Sequence, residues 1–264
     1  MKIKPLDKQV QYISTNLPRI PFTLNICSQK GGGKTTNVIN LLTNKDAFYQ
    51  KFNRVILVSQ TANLDDKLQY LINSPIQIPN HTLDNLLEKK MLKKKILDTD
   101  IDHIKSSYYI SQNDILLNLT PDFLQELIQH QMSVIEEFKK KNADNVLLIL
   151  DDSVADPFLK SKQFINFILI SRHIKCSLMF LTQMYYGIHK TVRLNSSALC
   201  LYDTSNRKEL EDIYNENNVG IPYKEFLNIY NQVMEIPFSF LTIIHTNKRK
   251  EKLVYCWEKI IKII

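Results

Sequence analysis

The chain has 264 residues, of which 44% are hydrophobic, 23% charged and 9% aromatic. This composition excludes intrinsic disorder and a fibrous repeat, and the length suits one large domain. Lys plus Arg number 34 against 27 Asp plus Glu, and the resulting formal charge of +7 suits an anionic partner.

Only 5 glycines occur, and Gly31, Gly32 and Gly33 stand together; about 7% usage would give roughly 18 in a chain of this length. A chain that concentrates scarce glycine in one place marks where its backbone must be unusual. Cys27, Cys176, Cys200 and Cys256 form no CxxC pair, which excludes the usual zinc spacing and a disulfide frame. Met1-Lys-Ile-Lys-Pro5 has charge but no apolar segment, so no signal peptide is expected. The most apolar stretch, Phe164–Ile170, is short and interrupted by Asn166, so no membrane span is expected either. A reduced, intracellular chain is the expectation.

Phe22–Cys27 has the pattern of a short strand and runs into Ser28-Gln-Lys-Gly-Gly-Gly-Lys34-Thr35-Thr36. A helical pattern follows, with Val38, Ile39, Leu41 and Leu42 on one side. Arg54–Ser59 reads as a buried parallel strand. From about 61 to 118 the periodicity is weak, and we expect an insertion with one or two helices. Thr120-Pro-Asp122 opens a helix that ends in Lys139–Lys141, with a cap, a first-turn proline and charges that match the helix dipole. Asn145–Asp152 is the most buried-looking strand. A helix over about Lys162–His173 precedes the strands Ser177–Gln183 and Ala198–Asp203. Helices are expected near Asn206 and Tyr223, and Phe238–Thr246 with Lys252–Trp257 should close a hairpin around Asn247–Lys250. Strands alternating with helices predict an α/β fold, a mainly parallel central sheet covered on both faces, with a C-terminal β-hairpin. We read residues 1–264 as a single domain, with the insertion at about 61–118 and a C-terminal extension at about 204–264.

The glycine cluster matches the phosphate-loop pattern G-x-x-x-x-G-K-[ST] except at its first position, where Ser28 stands for glycine. Such a loop wraps backbone N–H groups around a nucleotide's phosphates, and the helix that follows points its positive end at the same anion. Ser28, Gln29, Lys30, Gly31, Gly32, Gly33, Lys34, Thr35 and Thr36 are the candidate nucleotide-binding residues. Lys34 is assigned to the β- and γ-phosphates of ATP and the Thr35 hydroxyl to Mg²⁺. Ser28 is expected to need dihedrals that glycine takes easily. Lys30 stays open between a phosphate contact and a solvated side chain.

Asp151 ends an apolar strand and is the candidate second magnesium ligand. Asp152 is the candidate base for the attacking water. Gln183 ends the next strand, where a polar side chain can reach the γ-phosphate or its water. Arg172 and Arg193 are alternative candidates for a cation inserted into a neighbouring subunit's site; His173 reads as a cap or packing residue. Two basic clusters, Lys89–Lys95 and Lys248–Lys250, are candidates for phosphate contacts without sequence preference.

Asp151-Asp152, Arg172-His173, Thr182-Gln-Met-Tyr185 and Arg193-Leu-Asn195 come in an order and spacing that resemble the genome-packaging ATPases of large eukaryotic DNA viruses, the poxvirus type. Leu17-Pro-Arg-Ile-Pro-Phe22 is similar as well. Related packaging ATPases occur in virophages and in icosahedral viruses with internal membranes, all within the FtsK–HerA superfamily of P-loop translocases. The resemblance covers roughly Pro21–Asp203, and Ser28 departs from its pattern. It implies a RecA-like P-loop NTPase, a motor that hydrolyses ATP to drive double-stranded DNA into a preformed capsid. It implies a homo-oligomeric ring, pentameric or hexameric, with capsid portal or vertex proteins as partners and the host-cell cytoplasm or viral factory as location. By position it makes Lys34 and Thr35 the phosphate-loop pair, Asp151 and Asp152 the acidic pair, Gln183 a sensor and Arg193 an arginine acting across the subunit interface. The alternative is a partition-type or regulatory P-loop switch. That family places its signature lysine five residues before the loop lysine, whereas Lys30 lies four before Lys34, and the acid pair fits it poorly.

Overall fold

The computed structural model describes residues 14–79, 106–153, 156–217 and 219–262. In chain order these form β1 (Thr23–Cys27), α1 (Lys34–Thr43), β2 (Arg54–Val58), α2 (Asp66–Ile72), β3 (Ile115–Leu116), α3 (Pro121–Asn142), β4 (Val146–Asp151), α4 (Lys162–Ser171), β5 (Cys176–Thr182), α5 (Lys190–Leu194), β6 (Ala198–Leu201), α6 (Arg207–Asn217), α7 (Tyr223–Met234), β7 (Leu241–Ile244), β8 (Leu253–Tyr255) and β9 (Lys259–Ile260). One nine-stranded sheet has the order β3-β2-β4-β5-β1-β6-β7-β8-β9. Pairing is parallel from β3 across to β6 and antiparallel from β6 to β9.

The central strands β1, β4 and β5 are buried along their whole length because both faces are covered, and they are mostly apolar. In β4, Val146, Leu148 and Leu150 pack with Leu124 and Leu127 of α3 and Phe164 and Phe167 of α4. Leu147 and Ile149 face the other way, toward Val38, Leu41 and Leu42 of α1 and Leu68 and Leu71 of α2. Each fully buried side chain of this kind contributes about 1.5–3 kcal/mol. The helix starts follow local chemistry. Thr120 accepts a hydrogen bond from the Phe123 N–H at 3.2 Å, and Asp65 accepts from the N–H groups of Lys67 and Leu68 at 2.8 and 3.2 Å.

Two stretches differ from the sequence reading. The region read as a helical insertion contains α2, but it also returns to the sheet as β3, a parallel edge strand beside β2. Two residues are too few to show alternation. At the C-terminus, β8 stops at Tyr255 and a short β9 pairs back onto it. Cys256 and Trp257, read as strand, sit instead in the turn with φ of 44° and 63°.

The parallel strands run the same way, so their C-terminal ends line one edge of the sheet. Ser28 follows β1, Ser59 follows β2, Asp152 follows β4, Gln183 follows β5 and Tyr202 follows β6. In open α/β sheets this is the edge where ligands bind. Arg172 and His173 precede β5, and Lys248–Lys250 join β7 to β8, which places both at the opposite edge. The Lys89–Lys95 cluster lies outside the described residues.

Candidate nucleotide site

The loop between β1 and α1 is shaped by where its glycines fall. Gly33 precedes the first turn of α1 with φ 104° and caps it without any side-chain hydrogen bond. The helix thus begins with N–H groups directed into the loop and no carboxylate or hydroxyl competing for them. Gly32 lies close to Ser28 and Gln29: a Cβ there would displace the Ser28 hydroxyl, 2.0 Å away, and stand 3.2 Å from the Gln29 carbonyl. Gly31 also has positive φ, at 80°, whereas Ser28 does not. The loop's left-handed positions therefore fall on its glycines, and Ser28, expected to need glycine's dihedrals, occupies ordinary backbone space. Its N–H donates to the Thr182 carbonyl at 3.0 Å, which ties the start of the loop to the end of β5.

Lys34 is buried, and its Nζ donates to the Ser28 carbonyl at 2.9 Å and the Gln29 carbonyl at 3.4 Å. The ammonium is thereby held across the loop by weak neutral acceptors that a phosphate would outcompete. Thr35 is half-buried; Gln29, Lys30, Gly31 and Thr36 are exposed.

In β4, alternation puts Leu147, Ile149 and then Asp151 on the side that carries α1. Asp151 is buried, and its Oδ2 accepts a hydrogen bond from Ser59 Oγ at 2.9 Å. Burial pushes its carboxyl above the usual carboxylate range; Asp152 pushes the same way, while Ser59 and Lys34 oppose it. An acid in this condition gains from a divalent cation. A magnesium ion bound mainly by phosphates and water needs few protein ligands. That fits Thr35 and Asp151, and among the described residues no cluster of three or more His, Cys, Asp or Glu offers a self-sufficient metal site.

Asp152 turns out of the strand with φ 46°, a left-handed conformation uncommon for a residue with a side chain. Its N–H donates to the Leu181 carbonyl at 3.1 Å, and its Oδ2 accepts from Gln183 Nε2 at 3.3 Å. β5 lies between β1 and β4 in the sheet, so Gln183 stands between the phosphate loop and the acidic pair. Ser59, which orients Asp151, escaped the sequence reading; its signal was a hydroxyl at the end of an apolar strand.

Arg193 is committed within its own chain. Its Nε and Nη2 make a bidentate pair with Glu216 at 2.9 and 2.8 Å, and its Nη1 donates to the Ile188 carbonyl at 2.7 Å. The guanidinium lies 4.7 Å from the Tyr185 ring centroid and 5.4 Å from that of Tyr186. The Tyr185 hydroxyl donates to Glu216, and Asn217 links that hydroxyl to the His245 ring. Arg172 is exposed.

A glycine-capped helix, a lysine folded over the loop and paired acids across one intervening strand define a P-loop NTPase of the α/β class. The sequence profile of the poxvirus A32 protein matches residues 99–246, more than half of the chain. The chain belongs to this family. It is similar to DNA packaging protein OPG160 of variola virus, 23% identical over 229 residues that cover 87% of this chain and 70% of the relative. The vaccinia virus (strain Copenhagen) protein of the same name is 23% identical over 226 residues, covering 86% and 69%. The fold resembles that of the genome packaging NTPase B204 from Sulfolobus turreted icosahedral virus 2, with a TM-score of 0.50 at 14% identity over 92% of this chain and 98% of that one. It also resembles the EssC ATPases 2 and 3 from Geobacillus thermodenitrificans, with a TM-score of 0.51 at 14% identity over 90% of this chain and 40% of that one.

Proposed function

We propose that this chain is an ATP-hydrolysing motor that moves double-stranded DNA into a viral capsid. The observation that carries the reading is Gln183 Nε2 3.3 Å from Asp152 Oδ2, between a phosphate loop and a buried Asp151. That arrangement unites a phosphate grip, a metal-binding carboxylate and a water-orienting pair. Membership of the poxvirus A32 family, whose relatives are named DNA packaging proteins, supplies the direction of the work.

In this reading the loop N–H groups and Lys34 hold the β- and γ-phosphates of ATP. Thr35 and Asp151 would hold Mg²⁺, which when bound would supply neutralising charge to the phosphates. Asp152 and Gln183 orient a water; its oxygen forms the new bond to the γ-phosphorus, the bond to the ADP oxygen breaks, and Asp152 accepts the water's proton. The surplus of basic residues supports non-sequence-specific contact with the DNA backbone. A homo-oligomeric ring, pentameric or hexameric, capsid portal or vertex partners, and action in the host-cell cytoplasm or viral factory complete the proposal. Among the described residues no helix is long and apolar enough to cross a membrane.

The test is the ATPase rate of the purified chain with and without long double-stranded DNA, beside its mass in solution. Turnover that DNA stimulates, in a ring-sized particle, supports the motor. Absence of ATP turnover under both conditions refutes it.

A further inference from the structure

Beside the phosphate loop lies an open cavity of about 740 Å³, bordered on one side by Gly31, Gly33 and Thr36. Its far wall is aromatic and comes from segments that flank the C-terminal strands: Tyr202 just after β6, Phe238 and Phe240 just before β7, and Trp257 in the turn between β8 and β9. Tyr202 and Phe240 pack with ring centroids 5.1 Å apart, and Phe240 and Trp257 with centroids 5.6 Å apart. Tyr202 and Phe238 come so close to the loop that a Cβ on Gly33 would touch both, at 3.6 and 3.9 Å.

Three features show that the wall is built for contact. Phe238 is 74% exposed, an expensive position for a phenyl ring, and its backbone has φ 63°. A bulky residue held in left-handed conformation with its ring in solvent marks strain retained at a site of use. Trp257 has the same φ of 63°, and its Nε1 donates to Asn37 Oδ1 at 2.8 Å. Asn37 belongs to α1, three residues after Lys34, so the helix that carries the phosphate lysine also fixes the aromatic wall. The cavity is also contiguous with the loop, and a nucleotide gripped there by its phosphates must put its nucleoside somewhere.

We infer that this cavity is the nucleoside subsite, in which the nucleobase stacks against Phe238 and the Tyr202–Phe240–Trp257 wall while Lys34 and the loop hold the phosphates. The inference rests on the phosphate-loop reading above and adds to it a substrate-binding role for the turns that flank the terminal strands. Trp257 lies outside the segment that the family profile matches. A wall of π-faces recognises any base by stacking, so removing one ring weakens binding without affecting the phosphate grip.

Trp257 is the sole tryptophan of the chain, and its fluorescence therefore reports on this cavity directly. The probes are Mg-ATP, AMP and Mg-tripolyphosphate. We expect ATP and AMP to change Trp257 emission and tripolyphosphate to leave it nearly unchanged. Phe238→Ala should weaken ATP binding by roughly tenfold or more, the usual effect of losing a stacking partner. Its tripolyphosphate affinity should stay at the wild-type value, and Phe238→Tyr should keep wild-type ATP affinity. Unchanged ATP affinity in Phe238→Ala with no emission change, while Lys34→Ala abolishes ATP binding, overturns the subsite and leaves the phosphate grip standing. Failure of the wild-type protein to bind either ATP or tripolyphosphate overturns both.

Discussion

The Arg193 cluster makes a sharp demand on stability. Truncation to alanine removes the two charge-assisted bonds to Glu216 at 2.9 and 2.8 Å, the bond to the Ile188 carbonyl at 2.7 Å, and the ring contacts with Tyr185 and Tyr186. The Arg193 side chain is 7% exposed and that of Glu216 21%, so the stranded carboxylate recovers little solvation. It would keep only the Tyr185 hydroxyl at 2.8 Å among the bonds described above. Breaking one side of such a pair costs about 3–5 kcal/mol when fully buried. The partial exposure of Glu216 argues for the lower end, about 3 kcal/mol, or a Tm loss of roughly 6–12 °C for a chain of this size. Urea unfolding of nucleotide-free protein measures this directly, and a double-mutant cycle with Glu216→Gln should return a coupling of about 1–3 kcal/mol. If Arg193→Ala unfolds at wild-type urea concentration, the structural assignment is wrong. The interface role is tested separately by mixing Arg193→Ala subunits with Lys34→Ala subunits. Rescued hydrolysis would mean that Arg193 leaves Glu216 to enter a neighbour's site. No rescue with assembly intact would confine it to its own chain.

Lys34→Ala should reduce ATP turnover to background in a steady-state phosphate-release assay, and turnover near wild type would exclude its phosphate role. Asp152→Asn should leave nucleotide affinity within about threefold of wild type while stopping hydrolysis; wild-type turnover there would remove Asp152 as the base. Asp151→Asn should raise the Tm of nucleotide-free protein at neutral pH, by about 2–4 °C per kcal/mol relieved. Folding raises the carboxyl's pKa, so its stabilising share is complete below the unfolded value near 3.8 and is lost as pH rises through the folded value. The gap between variant and wild type should therefore close below pH 3.8, and a variant less stable than wild type at pH 7 would contradict the burial argument. Magnesium with nucleotide should stabilise the wild type more than Asp151→Asn, as a thermal-shift series would show.

What the sequence displayed well was whatever depends on period or on rare residues. β4 is an unbroken apolar run up to Asp151 and β5 carries the apolar run Leu178–Leu181, because both faces are covered, and α3 carries its cap, its proline and its terminal lysines in plain view. The three adjacent glycines located the phosphate loop. Ser28 illustrates what a motif cannot tell: the pattern marks its position for glycine, but the left-handed dihedrals fall on Gly31 and Gly33. β3 and β9 were invisible because two residues carry no periodicity. Ser59, the Arg193–Glu216 pair and the packing of Trp257 against Phe240 join residues distant in sequence. Nothing local in the chain signals such contacts, since they depend on which strands become neighbours.

The short strands at the two margins of the sheet have a consequence for assembly. Among the described residues, β3 closes one margin and β9 the other, each only two residues long. Such stubs offer almost no ladder of free N–H and C=O groups for a foreign chain to zip onto. A copy approaching either flank finds too little backbone to continue the sheet, which guards against runaway stacking. Among the described residues, the surfaces left for a closed assembly are therefore helices and loops meeting side by side.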